Sequence, residues 1–305
     1  MTKFYMMVGL PASGKSTYAK LLAEEVDGIV VSSDGIRKEW YGDEAIQGDP
    51  SQIFLEVEKR CVKSLKEGRS VVMDATNMNA KKRTNFLRQL PACYKACVVM
   101  AVPFIVCVIR DEARSRSVGP LVLEKMRKNF QMPYYNEGWD HIEIYYPKDC
   151  DMVDADEHYN LEKDFDQKNH HHTLTVGEHE EKAQMIATAR GYGWLVGWAA
   201  AFHDCGKVWC QVIKEGDPDA HYYSHENVSA YQFLTMEAAQ WAYDMGTKVQ
   251  VIETAALITW HMVPYQFQHD EVPKNSFMAW ASTHKFDKDF AERLWHLHEC
   301  DVAAH

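Results

Sequence analysis

Eight consecutive residues constrain this chain more than any others. Gly9-Leu10-Pro11-Ala12-Ser13-Gly14-Lys15-Ser16 fits G-x-x-x-x-G-K-[ST], and Thr17 follows. The glycines let backbone N–H groups converge on phosphate oxygens without a Cβ in the way. A following helix then points its positive end at the same anion. Such a loop needs a strand before it and a helix after it, and the residues supply both. Phe4 to Val8 is a short apolar run ending at Gly9, and Ser16 to Val26 reads as a helix. The pattern predicts Gly9, Pro11, Ala12, Ser13, Gly14, Lys15, Ser16 and Thr17 as nucleotide-binding, with Lys15 on the β- and γ-phosphates and the Ser16 hydroxyl on Mg²⁺. The implied ligand is ATP or GTP.

The loop opens an alternation of strand-like and helix-like runs. Ile29 to Ser32, Ser70 to Asp74 and Cys97 to Val102 read as strands. Residues 51–67 set Phe54, Val57, Cys61 and Leu65 at helical spacing before Gly68. Strands alternating with helices predict an α/β fold, a parallel sheet covered by helices, whose ligands bind at the carboxyl ends of the strands. Those ends carry polar residues. After the second strand comes Ser32-Ser33-Asp34-Gly35-Ile36-Arg37, where Asp34 either accepts a proton from an attacking hydroxyl or caps the next helix. Arg37 suits an anionic group of the acceptor. After the third strand come Asp74, Thr76 and Asn77. Arg110 and Arg114, at i and i+4, suit the charge of a transferring phosphoryl group, unless they form a solvated basic face pairing with Asp111 and Glu112.

At 305 residues the chain is long enough for two domains, and its composition divides accordingly. Residues 1–147 carry 21 Lys and Arg against 18 Asp and Glu, a net of +3, whereas residues 148–305 carry 12 against 26, a net of −14. Fourteen of fifteen histidines follow position 157. The basic half leaves room for a polyanionic partner, and the acidic, His-rich half suggests metal. Residues 149–166 hold eight acidic side chains and predict a solvated linker. We therefore divide the chain into a nucleotide-binding domain over 1–149, a linker over 150–166 and an all-α domain over 167–305. No apolar run is long enough for a membrane helix, and the start lacks the basic stretch of a signal peptide. Eight cysteines without a C-x-x-C pair read as reduced thiols of a cytoplasmic protein.

In the second half, His203-Asp204-Cys205-Gly206-Lys207 follows an apolar helical run ending at Phe202. His179 begins a helical pattern upstream, while His225 and His261 lie downstream. Phe290, Leu294, Leu297 and Asp301 step by 4, 3 and 4, which sets a carboxylate in line with an apolar stripe. A buried carboxylate needs a cationic partner, and a divalent metal is one. Imidazole with carboxylate suits one or two ions of Mn, Fe, Co, Ni or Zn. A second His-Asp pair, His269-Asp270, lies in a polar stretch and is read as loop. His170, His171 and His172 are read as surface residues.

Two resemblances follow from these motifs. G-L-P-A-S-G-K-S-T, S-S-D-G-I-R, D-A-T-N and R-D-E-A-R, in this order, resemble the polynucleotide 5′-hydroxyl kinases, phage end-healing enzymes included, over residues 1–147. That resemblance implies Asp34 as general base and Arg37 as a contact to acceptor phosphate. It also implies Asp74 near acceptor and Mg²⁺, and Arg110 and Arg114 as lid arginines on ATP, with Arg116 as an alternative register. The pattern H…HD…H…H…D resembles the HD-domain metal-dependent phosphohydrolases over residues 168–305. It implies His179, His203, Asp204, His225, His261 and Asp301 as ligands, Asp204 as the bridge, and Lys207 as a phosphate contact. Together the two resemble enzymes that heal broken nucleic-acid ends, RNA ahead of DNA. Free nucleosides or nucleotides as substrates, and a regulatory nucleotide-binding module with a structural metal, stand as alternatives.

Overall fold

The computed structural model describes residues 1–170 and 173–305, so His171 and His172 lie outside the described residues. The chain divides into two compact units, residues 1–126 with 133–149, and residues 127–132 with 150–305.

In the first unit the elements run β1 (Lys3–Val8), α1 (Lys15–Glu25), β2 (Gly28–Ser32), α2 (Ser33–Tyr41), α3 (Pro50–Lys66), β3 (Ser70–Asp74), α4 (Ala80–Leu87), β4 (Tyr94–Met100), α5 (Phe104–Glu112), α6 (Pro120–Arg127) and β5 (His141–Tyr145). Five strands form one parallel sheet in the order β2-β3-β1-β4-β5. β1 is central, and Met6, Met7 and Val8 are fully enclosed, as a strand covered on both faces must be. The register pairs Ser32 with Asp74, so the residues that follow β2 and β3 emerge side by side at the carboxyl edge. β5 escapes the strand reading made from the sequence, although His141 to Tyr145 alternates and buries Ile142 and Ile144. The α3 stripe is also shifted. Ile53, with Val57, Cys61 and Leu65, is buried, while Phe54 is exposed.

The second unit runs α7 (Ala155–Glu162), α8 (Val176–Ala189), α9 (Trp194–Phe202), α10 (Lys207–Cys210), β6 (Gln211–Ile213), β7 (Ala220–Tyr222), α11 (His225–Leu234), α12 (Glu237–Asp244), α13 (Lys248–Trp260), α14 (Pro273–Thr283) and α15 (Lys288–Ala304). Among its described residues it is helical apart from the antiparallel hairpin β6–β7, an exception to the all-α expectation. Helices α8, α9, α11, α13 and α15 pack around one core that includes Ala183, Val196, Val228, Ile252 and Leu297. The stretch expected as a solvated linker belongs to this unit. It contains α7, and His158 and Glu162, one turn apart, are buried. Most of its carboxylates are exposed, as expected, but Met152, His158 and Glu162 turn inward and tie it to the unit.

Candidate functional site

In the first unit the phosphate loop links β1 to α1. Gly9 donates its N–H to the Thr76 carbonyl at 3.1 Å, which ties the loop to the end of β3. A Cβ at Gly9 would lie 2.9 Å from Met100 Cβ, so no larger residue fits without backbone movement. Ala12 and Gly14 take left-handed backbone angles, φ 61° and 88°, and bend the loop around its N–H groups. Lys15 is buried and donates to the Leu10 carbonyl at 2.5 Å and to Ser13 Oγ at 3.4 Å. Burial pulls its pKa down to about 8, against the opposing pull of Asp74. Ser16 and Thr17 are exposed in the first turn of α1, where Ser16 is free to face a cation.

The cap of α2 is Ser32, whose Oγ accepts from Gly35 N at 3.0 Å. Asp34 is therefore not the cap. Its half-exposed carboxylate takes Arg37 Nη1 at 2.6 Å and Arg116 Nη1 at 3.5 Å. Asp74 is buried at the end of β3. Asn77, at φ 48°, donates to the Met7 carbonyl at 2.8 Å, and buried Arg83 donates to the Asn77 carbonyl at 2.9 Å. Glu137 holds Arg83 from the other side at 2.6 and 2.8 Å, so a buried ion pair steadies the turn after β3.

The arginines depart from the expected shared face. α5 ends at Glu112, which leaves Arg110 on the helix and Arg114 beyond it. Arg110 pairs with Asp149 at 2.8 Å and Arg114 with buried Asp111 at 2.5 Å. Asp111 also accepts from Ser117 Oγ, Val118 N and Gly119 N at 2.7 to 3.0 Å, and so organises the turn that carries Arg116. Of Arg110, Arg114 and Arg116, the last is the one that meets Asp34, and it also meets Glu44, both at 3.5 Å.

In the second unit a Thr175–Glu178 capping box starts α8 and sets His179 on its inner face. His203 caps α9 and Asp204 follows; α11 begins at His225; His261 caps α13; Asp301 lies on the inner face of α15. All six are buried. They form two groups, His179, His203 and Asp301, and Asp204, His225 and His261, with ligand atoms within 4.8 Å of one another in each. Asp204 faces both. Its Oδ2 lies 3.5 and 3.6 Å from His179 and His203 Nε2, and its Oδ1 lies 3.0 and 3.7 Å from His225 and His261 Nε2. Asp301 Oδ1 lies 3.1 Å from His179 Nε2 and 3.5 Å from His203 Nε2.

The donor set fits divalent transition metals. His203, His225 and His261 each turn Nδ1 to a backbone carbonyl, of Ala200, Tyr222 and Ile258, at 2.7 to 2.9 Å. That arrangement leaves their Nε2 lone pairs pointing inward. Nε2 atoms of His179 and His203 lie 3.3 Å apart, and those of His225 and His261 3.2 Å apart, a convergence that a shared cation relieves. Burial lowers the His203 pKa, yet Asp204 and Asp301 outweigh it and raise the group to about 9. His261, desolvated and next to His203 and His225, falls to about 3. The carboxylates thus draw positive charge into the cage, while the His261 imidazole is held neutral.

Lys207 Nζ sits 2.6 Å from Asp204 Oδ2 and 2.8 Å from Gln167 Oε1. Sequence reasoning missed Gln167, Glu180 and Tyr265. Glu180 accepts from Asp204 N at 2.8 Å, and Tyr265 donates to Asp301 Oδ2 at 2.9 Å. No motif announces them, because each acts through contacts made only in the fold. His269 and Asp270 are exposed, and His170 pairs with Asp219, so neither joins the cage.

Residues 4–133 match the AAA domain family model. The loop and the parallel sheet together fit a phosphate-loop nucleotide-binding fold in the first unit. The transcription factor bHLH140 of Arabidopsis thaliana is 28% identical over 165 residues, 51% of this chain and 17% of that protein. A structure of the Pnkp1/Rnl/Hen1 RNA repair complex is 24% identical over 42% of this chain and 43% of that one, with a TM-score of 0.38. A gluconokinase from Sinorhizobium meliloti 1021 is 16% identical over 47% and 80%, with a TM-score of 0.34. The chain therefore spans less than half the length of the curated relative and of the repair-complex chain. No described helix is long and apolar enough to cross a membrane.

Proposed function

We propose that the chain heals nucleic-acid ends, joining a 5′-hydroxyl polynucleotide kinase to an HD-type metal-dependent phosphohydrolase that acts on 2′,3′-cyclic or terminal 2′- or 3′-phosphates. The observation that carries the reading is Asp204, whose two oxygens face two His-containing ligand groups, in a chain that also has a phosphate loop. RNA is the favoured substrate.

In the first unit, the loop amides and Lys15 hold the β- and γ-phosphates of ATP, and Ser16 holds Mg²⁺. Asp34 takes the proton of the attacking 5′-hydroxyl as its oxygen bonds to the γ-phosphorus and the bond to ADP breaks. Arg37 releases Asp34 to meet acceptor phosphate, and Arg116 brings positive charge to the same place. Thr76, Asn77 and Asp74 line the acceptor side.

In the second unit, His179, His203, Asp204, His225, His261 and Asp301 would hold two divalent ions, which would supply Lewis acidity to a phosphate and lower the pKa of water. Glu180 fixes the Asp204 backbone, and Tyr265 fixes the Asp301 carboxylate. Lys207, already beside Asp204, offers its ammonium to a phosphate oxygen.

Transfer of labelled γ-phosphate from ATP to a 5′-hydroxyl RNA oligonucleotide tests the acceptor. An excess of unlabelled oligonucleotide should suppress labelling far more than the same concentration of mononucleotide. Equal suppression would assign the site to free nucleosides or nucleotides instead.

A further inference from the structure

The second unit buries another set of ligand-type side chains, separate from the six of the cage. His158 and Glu162, one turn apart on α7, face Cys205, and the three offer ligand atoms within 4.8 Å of one another. Relative exposures are 2%, 3% and 0%. Glu180, 3% exposed, neighbours Glu162 from α8, outside the three whose ligand atoms converge. One of its oxygens accepts from Asp204 N, while Oε2 has no hydrogen-bond partner, and His158 Nε2 has none either. His158 Nδ1 touches Glu162 Oε1. An imidazole, a thiol and two carboxylates enclosed together need a cation, since a buried carboxylate with no counter-charge costs several kcal/mol.

We propose that His158, Glu162 and Cys205 bind one zinc-type transition-metal ion, with Glu180 alongside, a structural site that fastens α7 to the His203–Lys207 turn. The donor chemistry selects the ion. Thiolate and imidazole favour zinc and its neighbours over Mg²⁺ or Ca²⁺, and three protein donors supply most of a tetrahedral shell. Full enclosure leaves no position for substrate, so the ion is loaded as the unit folds. The site also explains why an acid-rich stretch packs onto the core.

Cobalt reports this site selectively, because the six cage ligands include no sulfur. The full chain, produced in cobalt-containing medium, should show a near-ultraviolet thiolate-to-cobalt charge-transfer band. The band should persist in the His225→Ala/His261→Ala variant and vanish in Cys205→Ser. A gain-of-signal variant guards against misfolding: His158→Cys should raise the band about twofold by adding a second thiolate. No band in the cobalt-loaded full chain, or one unchanged in both Cys205→Ser and His158→Cys, overturns the proposal. Because the readout depends on Cys205 and not on the cage, it is independent of whether the cage hydrolyses phosphate.

Discussion

Lys15 shows how a binding residue is kept at a cost to stability. Its ordinary pKa of 10.5 is pulled to about 8 in the folded chain, chiefly by burial. Because the folded value lies below the unfolded one, stability is diminished below about pH 8 and recovers as pH rises toward 10.5. The gap corresponds to roughly 3 kcal/mol. Lys15→Met should therefore abolish phosphoryl transfer yet raise the melting temperature at pH 7, as calorimetry would show. In the wild-type chain, titration calorimetry should find ATP binding weakening as pH rises through about 8. Gly206 presents the opposite case. A Cβ there would lie 2.5 Å from the His225 carbonyl oxygen and 2.6 Å from Ser229 N, both backbone atoms. Gly206→Ala should lower stability by about 1–3 kcal/mol, or more, and reduce metal content, because the turn must move away from His225. Unchanged melting and metal content would refute that account.

At the scale of elements, the motifs were legible wherever local chemistry dictates local geometry. The phosphate loop must join a strand to a helix, and β1 and α1 do so within a residue or two of the reading from sequence. The inward position of Asp301 follows from the α15 stripe, and Leu297→Ala in that stripe should cost about 2–5 kcal/mol and weaken metal retention together. Denaturant titration and metal analysis of one preparation check both. What was not legible depends on distant partners. Nothing local tells that α5 stops at Glu112, because Asp111 terminates it by accepting from residues 117–119. That stop brings Arg116 to Asp34. Arg116→Ala should accordingly reduce kcat for transfer more than Arg114→Ala does. Likewise, His158 and Glu162 turn in toward Cys205, far along the chain. Composition alone made that segment look solvated.

For the molecule as a whole, the claim is that two chemistries reside in two units with separate machinery. Lys15, Asp34 and Arg116 lie in the first unit, and all six cage residues lie in the second. The most direct test uses one RNA oligonucleotide bearing a 5′-hydroxyl and a 2′,3′-cyclic phosphate, supplied with ATP, Mg²⁺ and Mn²⁺, Ni²⁺ or Co²⁺. Both ends are followed in the same reaction for the wild-type chain, Lys15→Met and Asp204→Asn. We predict that the wild type converts both ends, Lys15→Met only the cyclic phosphate and Asp204→Asn only the 5′ end. Failure of the wild type at either end with every metal, or loss of both conversions in either well-folded variant, would contradict it.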